Sequence, residues 1–133
     1  MGDNVIKVDF KKKVDKEPEN ISYGFKNIMK HAFNLIYQES IEMILQHGIP
    51  DGNKVFITFY TNKEGVIISD DLKEQYPENI TIILEHQYRN IKMESDAFLI
   101  DLSFNRKWQT LRVPYEHIIE LADPTIPISF RKP

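Results

Sequence analysis

The chain has 133 residues, 41% hydrophobic and 28% charged, enough for one domain with its own core and too apolar for disorder throughout. It has no cysteine, which excludes disulfides, thiolate zinc sites and cysteine nucleophiles together, and no apolar run approaches the ~20 residues that span a bilayer. A net charge of -3 gives no electrostatic ground for nucleic acid, and the N-terminus lacks a signal-peptide core, so a cytoplasmic protein without membrane contact is expected.

Residues 1–19 are dominated by charge and end in Lys16-Glu17-Pro18-Glu19, the composition of a mobile leader in which only Val5 to Phe10 has strand character. The cluster Lys11, Lys12, Lys13 reads as a solvated tail. A single domain is expected over 20–130, with a helix over 20–48, a barrel over 54–130 and a C-terminal stub at 131–133. Asn20 or Ser22 supplies the helix N-cap, and Gly48 with Pro50 supplies the stop. At about 100° per residue, Phe25, Ile28, Met29, Ala32, Leu35, Ile36 and Met43 form one apolar stripe, and Phe33, Tyr37, Ile41 and Ile44 form an adjoining one. Two stripes predict two packing surfaces. The first is read as facing the domain itself, and Phe33, Tyr37, Ile41 and Ile44 as the dimer interface with a second copy of the chain.

Pro50-Asp51-Gly52-Asn53 is a turn, and Val55 to Tyr60 is a β-branched and aromatic strand. Thr61 to Gly65 reverses the chain into a strand at Val66-Ile67-Ile68. The spacing of Asp71 and Glu74 predicts a short capped helix through Tyr76, stopped before Pro77. Ile80, Ile82 and Leu84 alternate with Thr81, Ile83 and Glu85, and Phe98, Ile100, Leu102 and Phe104 alternate with Leu99, Asp101 and Ser103, so each strand has one strongly apolar face. Asn105-Arg106-Lys107 is a hairpin loop into a strand over Trp108 to Val113. Pro114 is read as starting a short helix that carries Ile118, Ile119 and Leu121 inward, and Ile126 to Phe130 as an edge strand that tolerates Pro127. The fold class is therefore α+β, a long N-terminal helix followed by a small open β-barrel with short helical inserts.

Apolar residues on both faces, notably Ile83 and Leu99, point to either a closed barrel wall or a groove that takes a partner. An extended peptide is expected along a strand from Leu84 through Glu85, His86 and Gln87 to Tyr88 and its neighbour Phe98, Leu99 and Ile100. Backbone hydrogen bonds supply affinity there, and His86 or Gln87 fixes direction. Catalytic chemistry has no comparable support. Glu85 and His86 adjoin on a strand and point apart, His117 with Glu120 lacks a third ligand, and phosphate loops, nucleophile elbows and HExxH are missing. A non-enzymatic protein without metal or cofactor is expected. Trp108, Tyr88 and Phe104 keep a second reading open, an RNA-binding barrel in which they stack bases.

Four segments carry a resemblance in their linear order: Leu72-Lys73-Glu74-Gln75-Tyr76-Pro77-Glu78, Thr81 to Tyr88 (TIILEHQY), Leu102-Ser103-Phe104 and Leu111-Arg112-Val113-Pro114-Tyr115. Over roughly residues 22–130 the chain resembles the stringent starvation protein B (SspB) family, and within it the alphaproteobacterial type. The resemblance implies an adaptor: a dimer held by N-terminal helices, each subunit an open barrel of SH3-like or Sm-like topology. Its groove would bind the ssrA degradation tag, and the adaptor would deliver tagged proteins to ClpX, the ATPase of the ClpXP protease. The family usually adds a flexible C-terminal tail with a ClpX-docking motif. This sequence stops at Arg131-Lys132-Pro133, so capture of tagged substrates without faster degradation is the expectation for the residues as given.

Overall fold

The computed structural model describes residues 21–126 and 128–133. The expected leader, its strand at Val5 to Phe10, the cap at Asn20 and the role of Pro127 lie outside the described residues. Helix α1 runs over Ile21–His47 and includes Ser22. Gly48, at φ +71°, ends it in a left-handed conformation that costs glycine little. Phe33, Tyr37, Ile41 and Ile44 recur at helical spacing and meet the sheets. Tyr37 and Ile41 are completely buried and Ile44 nearly so.

The stripe expected at the dimer interface thus meets the core of the chain's own domain. The Tyr37 hydroxyl donates to Phe130 O at 3.0 Å, with Ile119 O at 3.3 Å as second acceptor, which ties the helix to the end of the sheet. Phe25, Ile28, Met29, Leu35 and Met43 stay exposed. Helical periodicity groups residues into stripes, but which stripe meets the core is set by the shape and hydrogen-bonding capacity of the surface opposite.

Two antiparallel sheets follow. Strands β1 (Val55–Tyr60), β2 (Asn79–Leu84), β6 (Ile118–Asp123) and β7 (Ile128–Arg131) lie in the order β2-β1-β6-β7. Strands β3 (Tyr88–Met93), β4 (Ala97–Phe104) and β5 (Lys107–Pro114) form the second sheet in that order. Ile57, Phe59 and Ile82 from the first sheet and Phe98, Ile100, Leu111 and Val113 from the second share one core cluster with α1. The result is the expected α+β architecture, a long helix on an open barrel-like β region. No helix among the described residues is long and apolar enough to cross a membrane.

Several local expectations are corrected. Residues 115–123 hold a single 3-10 turn, η1 (Tyr115–His117), and then strand β6. Ile118 pairs with Phe59 and Glu120 with Thr58, so Ile119 is the extra residue of a β-bulge. The bulge spaces the buried Ile118 and Leu121 by three residues, and that spacing imitates a helix. Val66 to Ile68 forms no strand; Ile67 alone bridges Arg112, by backbone bonds of 3.0 and 2.9 Å. Helix α2 (Asp70–Gln75) is capped by Ser69, whose hydroxyl accepts from Leu72 N at 3.2 Å, two residues before the expected acidic cap at Asp71. The C-terminal strand is shifted to β7, on the outer edge beside β6. Asn105 and Arg106, at φ +50° and +68°, make the two-residue hairpin turn between β4 and β5.

Gly65, at φ +89°, approaches the second sheet closely: a Cβ there would stand 3.2 Å from both Arg112 Nη1 and Pro114 Cγ. Its carbonyl accepts from Arg112 Nη1 at 2.7 Å. Gly65→Ala is expected to destabilise the fold by about 1–2 kcal/mol through backbone strain and displacement of Arg112. Urea denaturation checks this; a change below about 0.3 kcal/mol would show that the loop yields freely.

Candidate peptide-binding cleft

Strand β2 is an edge strand. Among the described residues it pairs with β1 on one side only, and its other side offers backbone donors and acceptors for an added strand. Its buried residues are Ile80, Ile82 and Leu84, while Thr81 and Ile83 point outward. Ile83 is 56% exposed, an unusual position for a large aliphatic side chain in mid-strand, and it stands opposite Phe56 in the β1 register. A cleft of about 220 Å³ opens here, lined by Thr81, Ile83, Gln87, Leu102, Ser103 and Phe104. A second hollow of about 300 Å³, formed by Ile83, Glu85, His86 and Gln87, continues it. Ile83 and Gln87 belong to both, so they mark the centre of one continuous surface between β2 and the end of β4.

The chain between Leu84 and Tyr88 is a bend and joins the two sheets, which corrects the strand expected there. Glu85 and His86 consequently do not point to opposite faces; His86 Nε2 lies 3.7 Å from Glu85 Oε1. Of the eight residues expected to bind peptide, Glu85, His86 and Gln87 line the surface. Leu84, Phe98 and Ile100 are completely buried and belong to the core. Leu99 lies half-buried on the far face of β4, opposite Lys92 and Arg112, and Tyr88 packs against the core. The reading missed Thr81, Ser103 and Phe104, and noted Ile83 without placing it in the groove. The available signal was Ile83 itself, apolar at an outward position of an otherwise regular alternation.

The aromatic set considered for base stacking is divided. Trp108 faces outward beneath Arg89, whose guanidinium carbon sits 3.9 Å from the ring centroid, whereas Tyr88 and Phe104 pack against the core. His117 and Glu120 do not form a ligand pair: His117 Nε2 lies 3.0 Å from Glu64 O, and Glu120 meets Ser129 at 2.8 Å and Arg131 at 3.6 Å. Among the described residues no group of three or more His, Cys, Asp or Glu is gathered as a metal site would require.

No curated protein matches the chain. A family model does: that of SspB, Stringent starvation protein B, over residues 27–131. The match takes in most of α1, both sheets and every residue of the cleft. With most of its 133 residues matched, the chain belongs to the stringent starvation protein B family of ssrA-tag adaptors.

Proposed function

We propose that the chain captures ssrA-type degradation tags as extended peptides along the free edge of β2, and that it acts in the cytoplasm as a homodimer that hands tagged proteins to ClpXP. The observation that carries this reading is the exposed Ile83 on an edge strand, with Gln87 beside it and Ser103 and Phe104 as the facing wall. Backbone bonds to β2 supply affinity with little regard to sequence. Alternate side chains of the peptide reach Ile83 and Phe104, and the Gln87 amide, which both donates and accepts, fixes register.

The test is titration with a labelled ssrA peptide and, in parallel, a single-stranded RNA of similar length. Saturable peptide binding is expected. Ile83→Asp should weaken it by about 30-fold, the equivalent of roughly 2 kcal/mol of lost apolar burial, and Gln87→Ala by about fivefold. Tight RNA binding without peptide binding would overturn the reading in favour of a nucleic-acid module centred on Trp108. The delivery half is tested separately, by ClpXP turnover of an ssrA-tagged reporter at low substrate concentration. Stimulation carries it, and peptide binding without stimulation confines the chain to capture.

A further inference from the structure

Trp108 belongs neither to the core nor to the lining of the tag cleft, yet it stands at the cleft's margin. It is 44% exposed and lies directly across from Ser103 in the pairing of β4 with β5, so the two side chains are neighbours on the outer face of that sheet. Ser103 is part of the cleft wall. Arg89 reaches the same spot from the opposite strand. It pairs with Asp101 in the register of β3 and β4, and its guanidinium carbon lies 3.9 Å from the Trp108 ring centroid. The side chain therefore passes over β4 to reach β5, and a stacked cation and indole adjoin the wall of the cleft. Trp and Arg are the residue types that most often dominate binding surfaces.

The pair is held in place before any ligand arrives. Stacking fixes the plane of the guanidinium, and Asp101 Oδ2 stands 3.7 Å from Arg89 Nε, so the inner nitrogen of the fork faces this carboxylate. Asp101 in turn accepts from Thr110 Oγ1 at 2.7 Å and from Asn90 Nδ2 at 2.8 Å, bonds that hold its carboxyl below the usual carboxylate range. The Arg89 side chain is half exposed, and its two terminal nitrogens make no hydrogen bond among the described residues. Arg106 and Lys107 of the adjoining hairpin, both exposed, add positive charge to this rim, whereas Glu85 and His86 lie at the other end of the cleft. A polyanion such as RNA is disfavoured by the carboxylates of Asp101 and Glu85 and by a net charge of -3, while a single carboxylate on a strand-like peptide meets one open fork. Resting on the adaptor reading, we infer that Arg89 and Trp108 extend the tag cleft and set its specificity: Trp108 fixes the guanidinium, the two terminal nitrogens of Arg89 take a carboxylate of the bound peptide, and the preferred tag carries an acidic side chain at the position lying over Ser103.

The experiment measures binding of labelled ssrA peptides in which one position at a time carries Asp or Asn, to the full chain and to its variants at these two residues. At one position the parent is expected to prefer Asp over Asn by about fivefold. Arg89→Gln should bring that ratio below about 1.5 while affinity for the Asn peptide stays within about twofold of the parent, because the edge of β2 and Ile83 are untouched. Trp108→Ala frees the guanidinium and should reduce the ratio to about twofold. Arg89→Lys, which keeps the charge without the fork, should fall between the parent and Arg89→Gln. The ratio is the readout because a general loss of stability would weaken both peptides alike. A parent that binds no ssrA peptide removes the adaptor reading and this inference with it. A parent that binds the ssrA peptide but prefers Asp at no position, an undiminished preference in Arg89→Gln, or loss of single-stranded RNA binding in that variant with the preference intact overturns this inference alone.

Discussion

Tyr37→Ala is expected to lower the stability of the fold by about 3–5 kcal/mol, the range for deleting a large buried aromatic side chain. Tyr37 is completely buried and lies 6.1 Å from Phe33, centroid to centroid. Its hydroxyl bonds to the carbonyls of Phe130 and Ile119, so one side chain connects α1 to β6 and β7. Burial, and then the negative charge of Glu120, raise its pKa to about 12, which keeps the donor protonated well beyond neutral pH. Tyr37→Phe separates the contributions. It keeps the ring and removes the hydroxyl donor from Phe130 O and Ile119 O, of which Ile119 O still accepts from Lys132 N at 2.9 Å, at a cost of about 1–2 kcal/mol. Against a total stability of about 5–15 kcal/mol for a domain of this size, the alanine variant should be partly unfolded near physiological temperature. Urea denaturation monitored by circular dichroism measures both effects. A loss below about 1 kcal/mol for Tyr37→Ala would mean that α1 contributes little to the folded domain.

A double substitution on the other face of the same helix, Phe25→Asp with Ile28→Asp, is expected to convert the proposed homodimer into a folded monomer. Phe25 is 61% and Ile28 66% exposed, and Met29, Leu35 and Met43 extend the same surface, an apolar stripe of the kind that marks a protein interface. Burial of each large side chain contributes roughly 1.5–3 kcal/mol, and a two-fold interface uses every residue twice. Even with incomplete burial, the double variant should weaken association by at least about a thousandfold, because the introduced carboxylates would have to be desolvated in the interface. Sedimentation at micromolar concentration provides the readout, with urea denaturation to show that the monomer stays folded. A parent chain that sediments as a monomer would remove the dimer from the reading. Variants that remain dimeric would move the interface elsewhere.

The region from Thr81 to Tyr88 shows how far the sequence could be read. The buried face of β2, Ile80, Ile82 and Leu84, followed from strict alternation, and so did the hairpin at Asn105 and Arg106. Strand β3 escaped the same procedure. Arg89 pairs with Asp101 and Lys92 with Leu99, so β3 carries one residue more than β4 over that span, and Asn90 takes φ +56° at the irregularity. Tyr88, Ile91 and Met93 turn inward at spacings of three and then two, which matches neither a helix nor a regular strand. With β3 hidden, the bend at Glu85 to Gln87 was absorbed into a long strand. That false strand drew Leu84, Phe98 and Ile100 into the expected groove, although all three are core.

By itself the sequence determined the long helix and its two apolar stripes, the regular strands β1, β2, β4 and β5, the α+β class and the family resemblance through the order of four segments. These are properties of local periodicity and turn chemistry, which act over a few residues and are written in them. Tertiary structure decided which stripe of α1 meets the core, where bulges shift the inward residues of β3 and β6, and that Ile83 and Gln87 stand against Ser103 and Phe104. Each of these depends on contacts between residues far apart in the chain. Helical period alone leaves both stripes of α1 equally fit for burial, and the choice fell to Phe33, Tyr37, Ile41 and Ile44 because the surface opposite offers Tyr37 the carbonyls of Ile119 and Phe130, acceptors that a buried hydroxyl requires.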